Sequence, residues 1–232
     1  LFMQEICRLF TGEVQPTVVP FMAAIEMIHT SSLVHDDLPC MDDDMMRRGK
    51  ASTWAEYGED MGVLAGDALM IYAFEVAAKA FNEVSEADDL KRVGRAIEIL
   101  AAKTGIYGMI GGQTVDVELF GGPVPKNKLD FIYRLKTGAL IEASMLIGAV
   151  LGGAAEEDCK IVESLAGKVG LAFQIQDDIL DVTGDQKVLG KEAGSDEKNQ
   201  KTTYVTIEGL EKAKKDVEIL SAQAIEDLNK LP

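Results

Sequence analysis

The sequence predicts an all-α fold, and three observations carry that prediction. Apolar residues recur every three to four positions along most of the chain, as a half-buried helix requires. Alternating apolar and polar runs that would mark strands are nearly absent. The periodicity is broken by short Gly, Pro and Asn stretches, with no low-complexity linker. The segments fall at residues 1–11, 17–38, 59–82, 86–104, 106–119, 126–152, 156–182 and 206–230. With 232 residues, 47% of them hydrophobic, the chain can bury one sizeable core. Residues 1–232 are read as a single domain. The chain starts and stops inside amphipathic sequence, so both ends are expected to be cut from a longer protein.

Charge removes several function classes. The formal net charge is −16 at pH 7, the opposite of the basic footprint that nucleic acid requires. It also opposes a polybasic membrane-surface patch. Cys7, Cys40 and Cys159 form no CxxC pair, which fits a reducing, intracellular setting better than a disulfide framework. The most apolar run, Gly138 to Ala155, contains Glu142 and Ser144. It is read as a buried core helix rather than a membrane span, which needs roughly 20 predominantly apolar residues. Phosphate loops of the GxGxxG and GxxxxGK[ST] types are absent.

The acidic residues are concentrated. Val34 to Gly49 reads VHDDLPCMDDDMMRRG, placing Asp36, Asp37, Asp42, Asp43 and Asp44 just before Arg47 and Arg48. A second acidic stretch, QIQDDILD, runs from Gln174 to Asp181. On an uninterrupted helix, Asp36 and Asp42 would project about 120° apart, the wrong geometry for one shared ion. Pro39 opposes helix at Leu38 and cannot extend the hydrogen-bond ladder. The LPCM segment is therefore expected to loop and bring Asp42 back toward Asp36. No proline interrupts the second stretch, where Asp177 and Asp181 stack at i and i+4 with Gln174 one turn earlier. Two like charges about 4 Å apart repel by ~4 kcal/mol at an effective dielectric of about 20. That repulsion is harmless in water and costly at the mouth of an apolar cavity.

Either cluster alone also reads as a solvated acidic face. Together they favour a cation, and hard carboxylate oxygens suit Mg²⁺, which keeps waters and shares its shell with phosphates. Neither an EF-hand loop nor zinc spacing is present. An anionic substrate would need cations of its own. Arg47 and Arg48 follow the first cluster, Lys136 stands in RLKTG, and Lys191 and Lys201 bracket GKEAGSDEKNQK after the second. Arginine suits bidentate phosphate contact and lysine acts as a point charge. His29 and Asp36 are seven residues apart, about 20° around a helix, so they share a face. Taken alone, His29 reads as an ordinary surface or core histidine. GGQTVDVE sets Gln113 and Asp116 one turn apart beside small residues. It reads either as a close helix crossing or as the polar edge of an apolar pocket.

These residues resemble the trans-polyprenyl diphosphate synthase family, which includes the farnesyl and geranylgeranyl diphosphate synthases. HDDLPCMDDDMMRRG is similar to its first aspartate-rich motif, in the bacterial and plastid form with two extra residues. FQIQDDILDVTGD is similar to its second. IEMIHTSSLVHDD, AGDAL, GGQTVD, KTGALIEAS and GKEAGSDEKNQKTTY match in order and spacing.

The resemblance implies an isoprenoid synthase fold, a helical bundle around a deep apolar cavity, and a homodimer. It implies a Mg²⁺-dependent prenyltransferase of isoprenoid biosynthesis, cytoplasmic or, in a eukaryote, plastidial. Such an enzyme condenses isopentenyl diphosphate with an allylic diphosphate. Asp36, Asp42 and Asp177 would ligate three Mg²⁺, with Asp37, Asp178 and Asp181 as further ligands or behind them. Arg47, Lys136, Gln174, Lys191 and Lys201 would hold the allylic diphosphate, and His29 and Arg48 the isopentenyl diphosphate. Gln113 and Thr137 would line the reacting centre. Asp36, Asp37, Asp42, Lys136, Asp177 and Asp178 form the implied catalytic set.

Ser31 and Ser32, just before the first motif, would set the cavity floor and leave room for a twenty-carbon product, with the fifteen-carbon product close behind. Ser31, five residues before Asp36, lies about 7.5 Å deeper along the helix axis.

The sequence departs from the family pattern in places. The family's upstream GGKRxRP stretch and its basic C-terminal tail are missing, so these residues alone are expected to bind Mg²⁺ and allylic diphosphate yet turn over poorly. Met45 and Met46 stand where acidic residues or leucine are commoner. Two other readings are weaker. A class I terpene cyclase usually mixes Asn, Ser or Thr with Glu in its second motif. An inactive subunit of a heteromeric synthase usually loses aspartates, and both motifs here are complete.

Overall fold

The computed structural model describes residues 1–119, 122, 124–184 and 202–232. They form helices α1 (Phe2–Thr11), α2 (Val18–Asp36), α3 (Thr53–Tyr57), α4 (Glu59–Ala78), α5 (Ala87–Thr104) and α6 (Met109–Glu118). After these come α7 (Lys126–Ile132), α8 (Ala139–Leu151), α9 (Glu156–Thr183), α10 (Tyr204–Glu208) and α11 (Leu210–Leu228). A 3₁₀ turn, Lys79–Glu83, closes α4, and a π-helical turn, Tyr133–Gly138, joins α7 to α8. The all-α expectation holds.

Three local features depart from the expected elements. Residues 126–152, expected as one helix, are divided by the π-turn, and residues 206–230 by Gly209. A two-residue hairpin is also present, β1 (Met46–Arg47) against β2 (Lys50–Ala51), antiparallel in register Met46↔Ala51 and Arg47↔Lys50. Its loop, Arg48–Gly49, has positive φ at both residues, the geometry that matches hairpin twist.

α8 lies at the centre, packed on α1, α5 and α9. Ala143, Ile147 and Ala149 are fully buried, so the most apolar run is a core helix. Its one acid, Glu142, is buried and accepts hydrogen bonds from Lys103 Nζ at 2.6 Å. Lys103 also bonds Glu163 at 2.9 Å, tying α5, α8 and α9 together. Burial of a charge is tolerated only when it is paired in this way. A smaller apolar cluster of Leu129, Ile132, Tyr133, Ile175, Ile179 and Tyr204 joins the π-turn to α9 and α10.

Val18–Asp36 and Glu59–Glu83 are each long and apolar enough, by length and composition, to cross a membrane. α2 is packed against α4, α8 and α1. α4 carries Asp67 near its middle, where a bilayer would charge roughly 2.5–3.5 kcal/mol for a carboxylate.

Candidate active site

The site begins where α2 ends. α2 stops at Asp36, and the chain folds back through a loop rather than continuing. Asp42 N–H donates to the Asp36 carbonyl at 2.8 Å, Asp43 N–H to Leu38 and Asp44 N–H to Asp37, both at 3.1 Å. The Pro39 loop thus returns Asp42 to Asp36, as the spacing required. Trp54 Nε1 donates to the Asp44 carbonyl at 2.9 Å and closes the loop from outside.

The hairpin then aims Arg47 inward. Its Nε donates to Asp37 Oδ1 at 2.9 Å, Nη2 reaches the same oxygen, and Nη2 lies 3.4 Å from Asp44 Oδ2. Asp37 is 2% exposed and is the inner member of this pair. Arg48 stands exposed at the hairpin tip.

Below Asp36 a cavity of about 970 Å³ runs along α2. Its walls are mainly apolar, including Ile25, Met70, Met109, Ile110, Leu140, Ile141 and Phe173. A few polar groups converge at Asp36. Gln113 Nε2 donates to Asp36 Oδ1 at 2.7 Å. Lys136 Nζ bonds Asp116 Oδ2 at 2.7 Å. GGQTVDVE is therefore both things it was read as. Gly112 passes so close that a Cβ there would lie 2.3 Å from the Lys136 backbone nitrogen, while Gln113 lines the cavity and Asp116 holds Lys136.

Burial pushes the Asp36 carboxyl up from 3.8 to about 6, against the pull of Lys136. Burial draws the Lys136 ammonium down, but Asp116 and Asp36 outweigh it and leave it raised. Gln113 Oε1 is buried with no hydrogen-bond partner among the described residues.

A crowded carboxylate with a raised proton affinity beside an unused acceptor oxygen is a donor set of hard oxygens that fits a hydrated Mg²⁺. Asp36, Asp42 and Gln113 would hold it on this wall. Among the described residues no group of three or more His, Cys, Asp or Glu forms a closed cage.

The second acidic stretch lies on the unbroken helix α9. Asp178 and Asp181 are 4% exposed, and Asp177 and Gln174 are partly buried. Asp178 Oδ2 accepts from Tyr133 Oη at 2.6 Å and from Tyr204 N–H at 2.7 Å. From this helix only Phe173 reaches the cavity lining.

Of the remaining expected residues, His29, Ser32 and Thr137 line the cavity. Ser31 does not. It is fully buried, with Oγ bonded to the Ile28 carbonyl at 2.8 Å. The expectation counted depth along α2 but not azimuth, and five residues is about 140° from Asp36, off the cavity face. His29 lines the cavity, and Arg48 is exposed at the hairpin tip. Lys191 and Lys201 lie outside the described residues.

Sequence reasoning missed His35 and Asp67. Both line the cavity, with His35 Nε2 3.1 Å from the Val63 carbonyl and 3.7 Å from Asp67 Oδ1. The adjacency of His35 to Asp36 and of Asp67 to the AGDAL glycine was the available signal.

This fold and this site define an all-α protein with an apolar cavity and two aspartate-rich stretches. The Polyprenyl synthetase family profile matches residues 1–230, and the chain belongs to that family. It is 45% identical over 225 residues to a chloroplastic heterodimeric geranylgeranyl pyrophosphate synthase large subunit of Arabidopsis thaliana, covering 96% of this chain and 60% of that protein. It is 44% identical over 223 residues to a chloroplastic geranylgeranyl pyrophosphate synthase of Catharanthus roseus, covering 96% and 61%. The chain thus spans about three-fifths of the length of these relatives. The structure superposes on Helicobacter pylori geranyltransferase complexed with magnesium and isoprenyl diphosphate with a TM-score of 0.83. That match has 34% identity and covers 99% of this chain and 77% of the other.

Proposed function

We propose that the chain is a short-chain trans-prenyltransferase. It joins isopentenyl diphosphate to an allylic diphosphate (dimethylallyl, geranyl or farnesyl) and yields geranylgeranyl or farnesyl diphosphate. The observation that carries this reading is the apolar cavity closed at one end by the half-buried Asp36, with Gln113 and Lys136 beside it. Such a cavity takes a hydrocarbon tail, and its polar end takes a charged head.

Mg²⁺, when bound, supplies Lewis-acid neutralisation of charge building on the leaving diphosphate. Asp36, Asp42 and Asp177 would hold it, with Asp181 adjoining, and three ions are assigned to the site. Asp37 and Asp178 sit behind them, with Arg47 bonded to Oδ1 of the first and Tyr133 to Oδ2 of the second. Lys136 places a fixed cation near the polar end, with Gln174, Lys191 and Lys201 completing the allylic diphosphate's contacts and Arg47 steadying the loop. Preorganised charge of this kind favours ionisation of the allylic C–O bond. The apolar walls keep water from the carbocation, and Thr137 lies beside it. His29 and Arg48 hold isopentenyl diphosphate during its approach. The double bond then attacks, and the proton lost passes to the departing diphosphate. No residue in this scheme contacts nucleic acid or requires a membrane span.

Met61, Leu64 and Ile71 lie exposed on α4, Ile71 at 72%. An apolar helix face of this kind fits a second copy of the chain, and we assign a homodimer. Location is cytoplasmic or, as the chloroplastic names of the relatives suggest, plastidial.

Product chromatography on the chain with both substrates and Mg²⁺ tests the reading. Elongated fifteen- or twenty-carbon diphosphate is expected. A cyclised hydrocarbon would assign a terpene cyclase instead, and no product at any enzyme concentration would assign a subunit without activity of its own.

A further inference from the structure

A buried node links three parts of the chain that the proposed reaction uses separately. Tyr133 begins the π-turn, and Lys136 and Thr137 follow within that same turn. The Tyr133 hydroxyl donates to Asp178 Oδ2 at 2.6 Å, and Tyr204 N–H lies 2.7 Å from that oxygen and 3.3 Å from the hydroxyl. All three residues are at most 6% exposed. The carboxylate oxygen is thus met by a side chain from the π-turn and by the backbone N–H of the first residue of α10.

The π-turn is gripped again further along. A Cβ on Gly170 would lie 2.9 Å from Gly138 Cα, so α9 and the end of the turn touch through backbone. Gly170 and Asp178 are eight residues apart, about 12 Å along α9. The two contacts, Gly138 with Gly170 and Tyr133 with Asp178, run antiparallel. A helical side chain leans toward its own N-terminus, which lets Tyr133 reach the farther point. One contact would leave α9 free to slide or rotate against the turn. Two contacts fix both, and therefore fix Asp177, Asp178 and Asp181 relative to Lys136 and Thr137.

We propose that Tyr133 is a positioning residue whose hydroxyl holds Asp178 and sets the second acidic wall in register with Lys136. The inference rests on the metal and diphosphate reading above. Partners behind a metal's ligands typically govern metal affinity by about 10–100-fold when removed.

Tyr133→Phe keeps the ring and removes the hydroxyl. Binding of inorganic pyrophosphate to the full chain, followed by calorimetry as Mg²⁺ is raised, requires no turnover. The Mg²⁺ concentration for half-maximal binding is expected to rise about tenfold in the variant, with Asp178→Asn giving a similar shift. Adding Tyr133→Phe to Asp178→Asn should then add little, since both act through one contact.

A Tyr133→Phe variant with unchanged Mg²⁺ dependence, whether or not its melting temperature falls, would overturn the proposal and leave the hydroxyl a purely structural group. Full additivity in the double variant would overturn it as well. Wild-type chain that binds pyrophosphate with Mg²⁺ yet elongates no allylic substrate would refute the prenyltransferase reading and leave this one standing. Absence of Mg²⁺-dependent pyrophosphate binding in the wild type would refute both.

Discussion

The two acidic stretches have similar compositions and opposite construction. The first sits at a helix end, where Pro39 turns the chain and backbone hydrogen bonds stitch Asp42, Asp43 and Asp44 to Asp36, Leu38 and Asp37. It holds its carboxylates at different depths, from the buried Asp37 to the exposed Asp42. The second lies along the unbroken α9, where depth follows from helix azimuth and packing against Tyr133 and Tyr204. A loop can adjust when a charged ligand arrives, whereas a packed 28-residue helix presents a fixed wall. The difference suggests a division of labour, in which one side closes on the charge and the other provides the reference.

Substitutions can break this comparison, beginning with the largest effect. Asp36→Asn should lower turnover by about 10²–10³-fold, the usual scale for removing a charge-stabilising group, with far-UV dichroism unchanged. Turnover within a few-fold of wild type would remove Asp36 from the reacting end.

Gly112→Ala tests the clamp on the π-turn, because the added methyl would meet backbone rather than a yielding side chain. Overpacking of this kind costs about 1–3 kcal/mol, read by denaturant unfolding, and the displacement of Lys136 should reduce turnover as well. An unchanged unfolding midpoint would contradict the close crossing.

Ser32→Phe and Ser31→Phe separate depth from direction. The first projects into the cavity and should shorten the product at nearly unchanged stability. The second enters a fully buried site and should cost about 1–3 kcal/mol instead. The same product shift in both would show that the cavity reaches Ser31.

The smallest effect lies at the other end of α9. Asp227 on α11 accepts from Lys168, Lys230 and Ser164, and these bonds hold its carboxyl below the ordinary value of 3.8. A depressed carboxyl contributes stability that is present above 3.8 and lost as pH falls through the lowered value. Wild-type melting temperature should therefore fall faster below about pH 4 than that of Asp227→Asn, with the two curves parallel near neutrality. Identical acid slopes would contradict the assignment.

Much of this was legible in the sequence because it followed from strong local signals. Helical period placed α2, α5 and α9 within one or two residues, and Pro39 alone indicated the return of Asp42. Features that depend on tertiary fit were less visible. Nothing in KLDFIYRLKTGAL distinguishes a π-turn from continuous helix. The turn is stabilised by Gly112 and Gly170, residues on two other helices. Ser31 was assigned to the cavity from its sequence distance to Asp36, whereas the face it presents depends on which neighbours α2 packs against. Tyr133 carried no local signal, since its partner Asp178 lies 45 residues away. The MRRGKA hairpin escaped notice because its two-residue strands carry no alternation.

In the proposed reaction both acidic walls act on one diphosphate through Mg²⁺. Calorimetric titration of inorganic pyrophosphate into wild type, Asp36→Asn and Asp177→Asn, with and without Mg²⁺, measures that directly. Binding should require Mg²⁺ in the wild type and be lost in both variants. Binding that persists without Mg²⁺, or that survives in either variant at wild-type affinity, would contradict a shared site.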